Sequence, residues 1–224
     1  MKRLLPILLV VEVLAGCGGG TESATRTTTA PTTTKQAATG GCTEATTKTH
    51  KRSLSNEHVK LDADKTYRLV FQTNCGDFTI TLNQKVAPNA TGSLVSLAKR
   101  GFFDDTFFHR IVPGFVIQGG DPTASGTGGP GYSTRDRVPR NAAYTPGVVA
   151  MAKAGNEPPG TAGSQFFVVT AAGAGLTRDY ALLGRVTNGM EVVREIGKLG
   201  DPASGGAGTP LQSVVIEKAT VNER

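Results

Sequence analysis

From about residue 64 the chain alternates between apolar and polar positions. Residues 66–73, TYRLVFQT, mix Tyr, Leu, Val and Phe with polar partners. Residues 77–83, DFTITLN, alternate strictly, with Phe78, Ile80 and Leu82 on one side and Asp77, Thr79, Thr81 and Asn83 on the other. A period of two is that of a half-buried strand, because successive side chains point to opposite faces. Asn74-Cys75-Gly76 between the two runs is turn chemistry, so a β-hairpin is predicted. The period then changes. Across Pro88–Lys99, Leu94, Val95 and Ala98 share a helical face, Pro88 occupies a first-turn position and Gly101 supplies a stop. A second short helix is predicted over 189–198, with Val192, Val193 and Ile196 apolar. Strand-like runs recur at 107–112, 114–118, 147–152, 165–170, 181–186 and 213–219, separated by Gly/Pro/Ser/Thr loops of which 119–146 is the longest. Many short strands and few helices argue for a mainly β domain, an antiparallel barrel or sandwich, over residues 64–224.

The first sixty residues follow another logic. Met1-Lys2-Arg3 is cationic, and residues 4–11, LLPILLVV, are apolar, with Val13-Leu14 resuming after Glu12. This stretch is too short for a permanent membrane helix and matches the start of an export signal. Leu14-Ala15-Gly16-Cys17 resembles the lipobox of bacterial lipoproteins, in which the signal is cut before the Cys and the thiol carries lipid. The resemblance implies a signal peptide at 1–16, lipidation at Cys17 and an anchor on the extracytoplasmic face of a bacterial membrane. An ordinary secretory signal with a chance Cys is the other reading. Residues 18–41 contain nine Thr and no apolar side chain larger than Ala or Pro. Such a segment cannot bury enough surface to offset its ordering entropy, so 17–41 reads as a lipidated, flexible tether reaching about 25–30 Å. Residues 42–63 form a pre-domain segment.

Composition and charge sharpen this division. The 224 residues leave room for one ordinary domain plus appendages, and 38% hydrophobic with 19% charged residues excludes a wholly disordered or multi-span membrane protein. Lys and Arg number 24 against 18 Asp and Glu, a net of +6, of which +4 belongs to residues 1–60. The folded part is close to balanced, and no basic run is interleaved with aromatics, so a nucleic-acid partner lacks support. There are three Cys. With Cys17 taken by lipid, Cys42 and Cys75 remain, and outside the cytoplasm a bond between them would persist, clipping the end of the tether to the first strands. Two free thiols are the alternative; three Cys and three His give a Zn site little support.

Five of the nine Phe fall at 102, 103, 107, 108 and 115, and two more at Phe166-Phe167. Strict alternation after Pro113-Gly114 would put Phe115 with Ile117, away from Val116 and Gln118, but bends there can bring Arg110, Phe115 and Gln118 to one site. An Arg beside an aromatic surface can hold a carbonyl or carboxylate. Alone this is weak, and Phe115, Phe167 and Leu176 would read as core. The length of the match decides. Residues 108–121, FHRIVPGFVIQGGD, resemble the central motif of the cyclophilins, the cyclosporin-binding peptidyl-prolyl isomerases, and 151–168, MAKAGNEPPGTAGSQFFV, resembles their second active-site stretch. The flanks GFFDDTFFHR and LLGRVTNGMEVV agree as well, so the resemblance covers roughly 65–220.

The resemblance implies a closed eight-stranded antiparallel β-barrel capped by two α-helices. It implies that Arg110 is the catalytic Arg and that Gln118 orients it; that Phe115, Val116, Phe167 and Leu176 line a proline pocket; and that Ala152, Lys153 and Gln165 lie along the peptide groove. Tyr180 stands where many members have His, so activity is expected to vary little across about pH 6–8. Gly175 stands where strongly cyclosporin-sensitive members have Trp, which implies weak binding of the drug. The 155–163 loop, with Pro158-Pro159, is longer than in the shortest members. Proline-containing polypeptides are the implied partners, and a monomer is the default.

The chemistry suits these residue types. An X–Pro bond turns over a barrier of about 18–20 kcal/mol and takes tens to hundreds of seconds unaided. No bond is made or broken, so the reaction calls for no nucleophile, metal or cofactor. The task is to favour the twisted amide, whose nitrogen regains a lone pair that a charged Arg can hydrogen-bond. A holdase that captures proline-containing segments with little turnover is the alternative. A solute-binding lipoprotein would need two lobes. His109 reads as structural, Asp121-Pro122 as a turn, and His50 and His58 as solvent-facing.

Overall fold

The computed structural model describes residues 41–46, 48–57 and 59–224. The leader, Cys17 and the Thr-rich run through residue 40 lie outside them, as does His58. Strands β1 (Tyr67–Thr73) and β2 (Gly76–Leu82) form the expected hairpin. Phe71 stands opposite Phe78, and the inward set Leu69, Phe71, Phe78 and Ile80 is buried. Helix α1 spans Pro88–Lys99 with Pro88 in its first turn. Its free N-terminal amides are met by a carboxylate from a distant loop: Asp136 accepts from the Asn89 amide at 3.1 Å and the Ala90 amide at 2.7 Å.

The remaining strands are β3 (Thr106–Phe107), β4 (Arg110–Val112), β5 (Val116–Gly119), β6 (Thr134–Arg135), β7 (Val148–Met151), β8 (Thr161–Ala162), β9 (Phe166–Val169), β10 (Leu182–Asn188) and β11 (Val215–Glu223). Helix α2 (Met190–Gly197) and a 3-10 turn at Pro202–Ala207 lie between the last two. Nine strands form one curled antiparallel sheet in the order β3-β11-β1-β2-β10-β7-β9-β5-β4, while β6 and β8 pair separately. The expected count of eight differs because the run predicted at 107–112 divides at Phe108-His109. Its first half pairs with β11 and its second with β5. Phe107 also bridges Asp121, so the 106–112 segment has hydrogen-bonded neighbours on both sides. The β6–β8 ribbon, inside and beyond the long loop, is two residues per strand, too short for any period to register.

Strands β7 and β9 are buried on both faces, which is why they read as continuous apolar runs rather than alternating ones, and β5 beside them breaks the run only at the half-buried Gln118. One face (Ile117, Val149, Met151, Phe166, Val168) joins the main core with Phe71, Phe78, Phe103 and Phe108. There the Phe71 ring stacks on Phe78 and Phe166 at centroid distances of 5.3 and 5.1 Å. The other face (Val116, Val148, Ala150, Phe167, Val169) forms a second cluster with Ala142 and Tyr144, against which Phe115, Ala152, Leu176 and Tyr180 pack.

Residues 42–46 and 48–57 lie along the domain as a strap. Cys42 is disulfide-bonded to Cys75 in the β1–β2 turn, as expected. Further on, the His50 amide donates to the Pro122 carbonyl at 3.1 Å and the Leu54 amide to Pro130 at 2.9 Å. Arg52 donates to the carbonyls of Gly101 and Phe102 at 2.8 and 2.6 Å, and Leu54 packs on the main core. Among the described residues no helix is long and apolar enough to cross a membrane.

Candidate active site

The register of four neighbouring strands assembles the site. Arg110 on β4 pairs with Gln118 on β5, Gln118 with Phe167 on β9, and Phe167 with Ala150 on β7. One row across the sheet thus carries a cation, an amide, an aromatic ring and a small residue on the face of the second cluster. Phe115 precedes β5, in the turn where its amide donates to the Val112 carbonyl at 3.0 Å. Strand alternation therefore does not govern it, and it joins Val116 and Phe167 rather than Ile117.

The polar groups form a chain. The Arg110 guanidinium lies 5.8 Å from the Phe115 ring centroid. Its Nε donates to the Gly206 carbonyl at 3.0 Å and its Nη1 makes a long contact to Gln118 Oε1 at 3.4 Å. Gln118 Nε2 donates to Gln165 Oε1 at 3.0 Å, and Gln165 Nε2 to the Gly128 carbonyl at 2.9 Å. Burial pulls the Arg110 pKa down, with Tyr180 opposing. An arginine stays charged regardless at any pH the protein meets. His109, next in sequence, is held below the ordinary histidine range chiefly by burial, with the Asp121 carboxylate acting the other way.

Arg110, Phe115, Val116, Gln118, Ala152, Lys153, Phe167, Leu176 and Tyr180 line one cavity of about 320 Å³. Gln165 does not line it. It lines an adjoining cavity of about 610 Å³, together with Gly126–Ser133, Gly163 and Ser164, and Gln118, Ala152 and Lys153 border both. Asp121 builds the wall of that second cavity: buried, its carboxylate accepts from the amides of Thr123, Gly126 and Gly128 at 2.7, 2.7 and 3.0 Å. It is a loop organiser, in keeping with the turn expected there.

Two supporting residues escaped the sequence reading. Tyr144 is buried beneath the cavity, with its hydroxyl on the backbone of Tyr180. Gly208 donates no side chain but lies against the Arg110 stem, and its carbonyl accepts from the Ile111 amide at 2.7 Å. A Tyr beside Pro146-Gly147 and a glycine in PASGGAGTP carry no signal of what they touch across the fold.

The architecture is a curled antiparallel sheet with an apolar pocket, one guanidinium at its edge and a groove running on from it. The model of the cyclophilin type peptidyl-prolyl cis-trans isomerase family matches residues 68–221. The chain belongs to this family. Peptidyl-prolyl cis-trans isomerase-like 1 of Gibberella zeae is 36% identical over 162 residues, covering 70% of this chain and 96% of the relative. Peptidyl-prolyl cis-trans isomerase B of Streptomyces anulatus is 39% identical over 171 residues, covering 68% and 95%. Among solved structures, a cyclophilin type isomerase of Cryptosporidium parvum superposes with a TM-score of 0.63 at 28% identity, covering 70% of this chain and 98% of its own. The same protein in the presence of the dipeptide Ala-Pro gives 0.62 at 29% identity. The chain is thus a cyclophilin-type isomerase, and the family match runs from Arg68 in β1 to Val221 in β11.

Proposed function

We propose that this cyclophilin accelerates X–Pro rotation in exported or cell-envelope polypeptides, held at the membrane through Cys17, with Arg110 stabilising the twisted amide. The observation that carries the mechanism is the setting of Arg110. Its Nε is tied to Gly206 and its Nη1 faces Gln118, so the fork is positioned in advance at the edge of a cavity that Phe115, Val116, Phe167 and Leu176 line with apolar surface. A pyrrolidine ring seated among Phe115, Val116, Phe167 and Leu176 would be gripped while the acyl side turns. As the amide leaves planarity its nitrogen gains a lone pair, and Arg110 donates to it. That bond exists only in the twisted form, so it lowers the barrier rather than merely tightening binding. Each tenfold in rate needs about 1.4 kcal/mol, within reach of one charge-assisted hydrogen bond. The related structure obtained with Ala-Pro supports a proline as occupant.

Two features support the location. The Cys42–Cys75 disulfide suits an oxidising compartment. The LAGC quartet ahead of a Thr-rich run suits a lipid anchor.

The test is cis/trans exchange of an X–Pro peptide with the detergent-solubilised full chain, wild type and Arg110→Ala. The variant is expected to lose about 100-fold or more in kcat/KM while keeping peptide affinity within a few fold. No acceleration by wild type, with peptide still bound, would leave the holdase reading in its place. Fractionation of bacteria expressing Cys17→Ser should move the protein out of the membrane pellet; unchanged partitioning refutes the anchor.

A further inference from the structure

We propose that Lys153 selects substrates carrying a carboxylate within two residues of the proline. The inference rests on the placement of proline in the smaller cavity argued above. Lys153 follows β7 and borders both cavities, as do Gln118 and Ala152. A peptide whose proline occupies the smaller cavity and whose chain continues into the larger one must cross these three residues. Lys153 is the only one of them that carries charge.

Its ammonium is positioned but not neutralised. Nζ donates to the carbonyls of Ala154 and Glu157 at 3.1 and 2.9 Å, and lies 6.0 Å from the Tyr180 ring centroid. Both hydrogen-bond partners are backbone carbonyls, so two of its three donors are satisfied and the charge remains. The nearest acid in sequence, Glu157, turns its carboxylate onto the Ala154 amide at 2.6 Å. Among the described residues no ion pair involves Lys153. Asp121, behind the second cavity, is committed to its loop amides. Arg110 is a second cation on the same groove, and Glu157 is the only acidic residue lining either cavity. The side chains lining the two cavities therefore carry one net positive charge, Arg110 and Lys153 against Glu157, and half-buried Lys153 offers one unused N–H donor on a side chain held by two hydrogen bonds. A carboxylate from Asp or Glu meets that donor with a charge-assisted hydrogen bond, while a lysine there meets repulsion.

The test uses the full chain in detergent and proline peptides bearing Glu, Gln or Lys in turn at each of the two positions before and after the proline. The readout is the ratio of kcat/KM for Glu over Gln within one protein, which cancels any general loss of activity in a variant. At one position or more the wild-type ratio is expected to be about three- to tenfold, with Lys below Gln, and to shrink as salt rises. Lys153→Met, which keeps the aliphatic stem, should bring the ratio to about one; Lys153→Arg should retain it and Lys153→Glu invert it. A ratio near one at all four positions in wild type, or one that persists in both Lys153→Met and Lys153→Glu, overturns the proposal. If no peptide is accelerated at all, the isomerase placement itself fails and the proposal falls with it, an outcome distinct from uniform acceleration without charge preference.

Discussion

The hydroxyl of Tyr144 donates to the Tyr180 carbonyl at 2.7 Å and accepts from the Tyr180 amide at 3.1 Å. One buried phenol thus fixes the backbone of a cavity-lining residue just where the 171–180 segment returns to β10. The rings support the arrangement: Tyr180 meets Phe167 edge-on at 5.3 Å and Tyr144 at 6.0 Å. Burial also raises the Tyr144 pKa, which keeps the donor protonated. Tyr144→Phe leaves both backbone groups without this partner at a cost of about 1–2 kcal/mol. We expect KM for X–Pro peptides to rise several fold with kcat changed less, read from progress curves beside urea unfolding. An unaltered KM in a destabilised variant would show that Tyr144 supports the fold without shaping the pocket.

Gly208 sets the position of Arg110 from behind. Its φ is +66°, and a Cβ there would lie 2.7 Å from a Val112 methyl and 2.9 Å from Arg110 Cγ. Gly208→Ala therefore combines left-handed backbone strain of about 1 kcal/mol with displacement of the guanidinium stem. The expected result is a kcat reduced about tenfold, with peptide affinity nearly retained and stability lowered by about 1–3 kcal/mol. Full kcat in a folded Gly208→Ala would mean that Arg110 tolerates movement, against the positioning described above.

What the sequence revealed and concealed follows from the range of the signal. The β1–β2 hairpin and α1 were legible because period and turn residues are local. Arg110, Phe115, Gln118 and Phe167 were legible through two long motifs, and the structure gathers them with Val116, Ala152, Lys153, Leu176 and Tyr180 on one cavity. Gln165 falls to the adjoining cavity and reaches the site through Gln118. Alternation misplaced Phe115 because a turn residue obeys no strand period. Tyr144 and Gly208 were invisible because their roles arise from contacts 36 and about 100 residues away in the chain. The strap was hidden for the same reason: its hydrogen bonds to Pro122, Pro130 and Gly101 use backbone carbonyls that any residue would offer.

The strap and its disulfide give a stability prediction. Cys42–Cys75 closes 33 residues, which the chain-entropy account values at about 3–4 kcal/mol. Neither Cys lines either active-site cavity. Cys42→Ser should lower the urea midpoint accordingly and leave kcat/KM within about twofold under conditions where the variant is folded. A wild-type midpoint insensitive to dithiothreitol would argue that the bond adds nothing.

Gly175 has a φ of +61°, and a Cβ there would have the Gly173 carbonyl as its nearest neighbour, at 3.9 Å. No side chain covers the cavity edge beside Leu176 from this position. We expect cyclosporin to inhibit weakly, in the micromolar range or above, because a large apolar ligand finds less surface to bury there. Titration of the drug against isomerase activity decides it, and nanomolar inhibition sinks the expectation.

The pH dependence of stability has two windows. Burial holds His109 below the ordinary value near 6.5, so the unfolded chain takes up this proton before the folded one does. The unfolded state then binds more protons, and stability falls as pH drops below about 6.5. Asp121 behaves as the carboxylate counterpart. Burial pushes its pKa up, but the hydrogen bonds from Thr123 and the Gly128 amide outweigh that and leave it below the ordinary value. Its contribution is complete above about pH 4 and is lost as pH falls through its lowered pKa. Arg110 keeps its charge throughout, so activity should stay nearly flat over about pH 6–8 while stability declines on the acid side. Urea midpoints at pH 5, 6 and 7 test the upper window: they should fall with pH in wild type and flatten in His109→Gln. Equal slopes in the two proteins would remove His109 as the source.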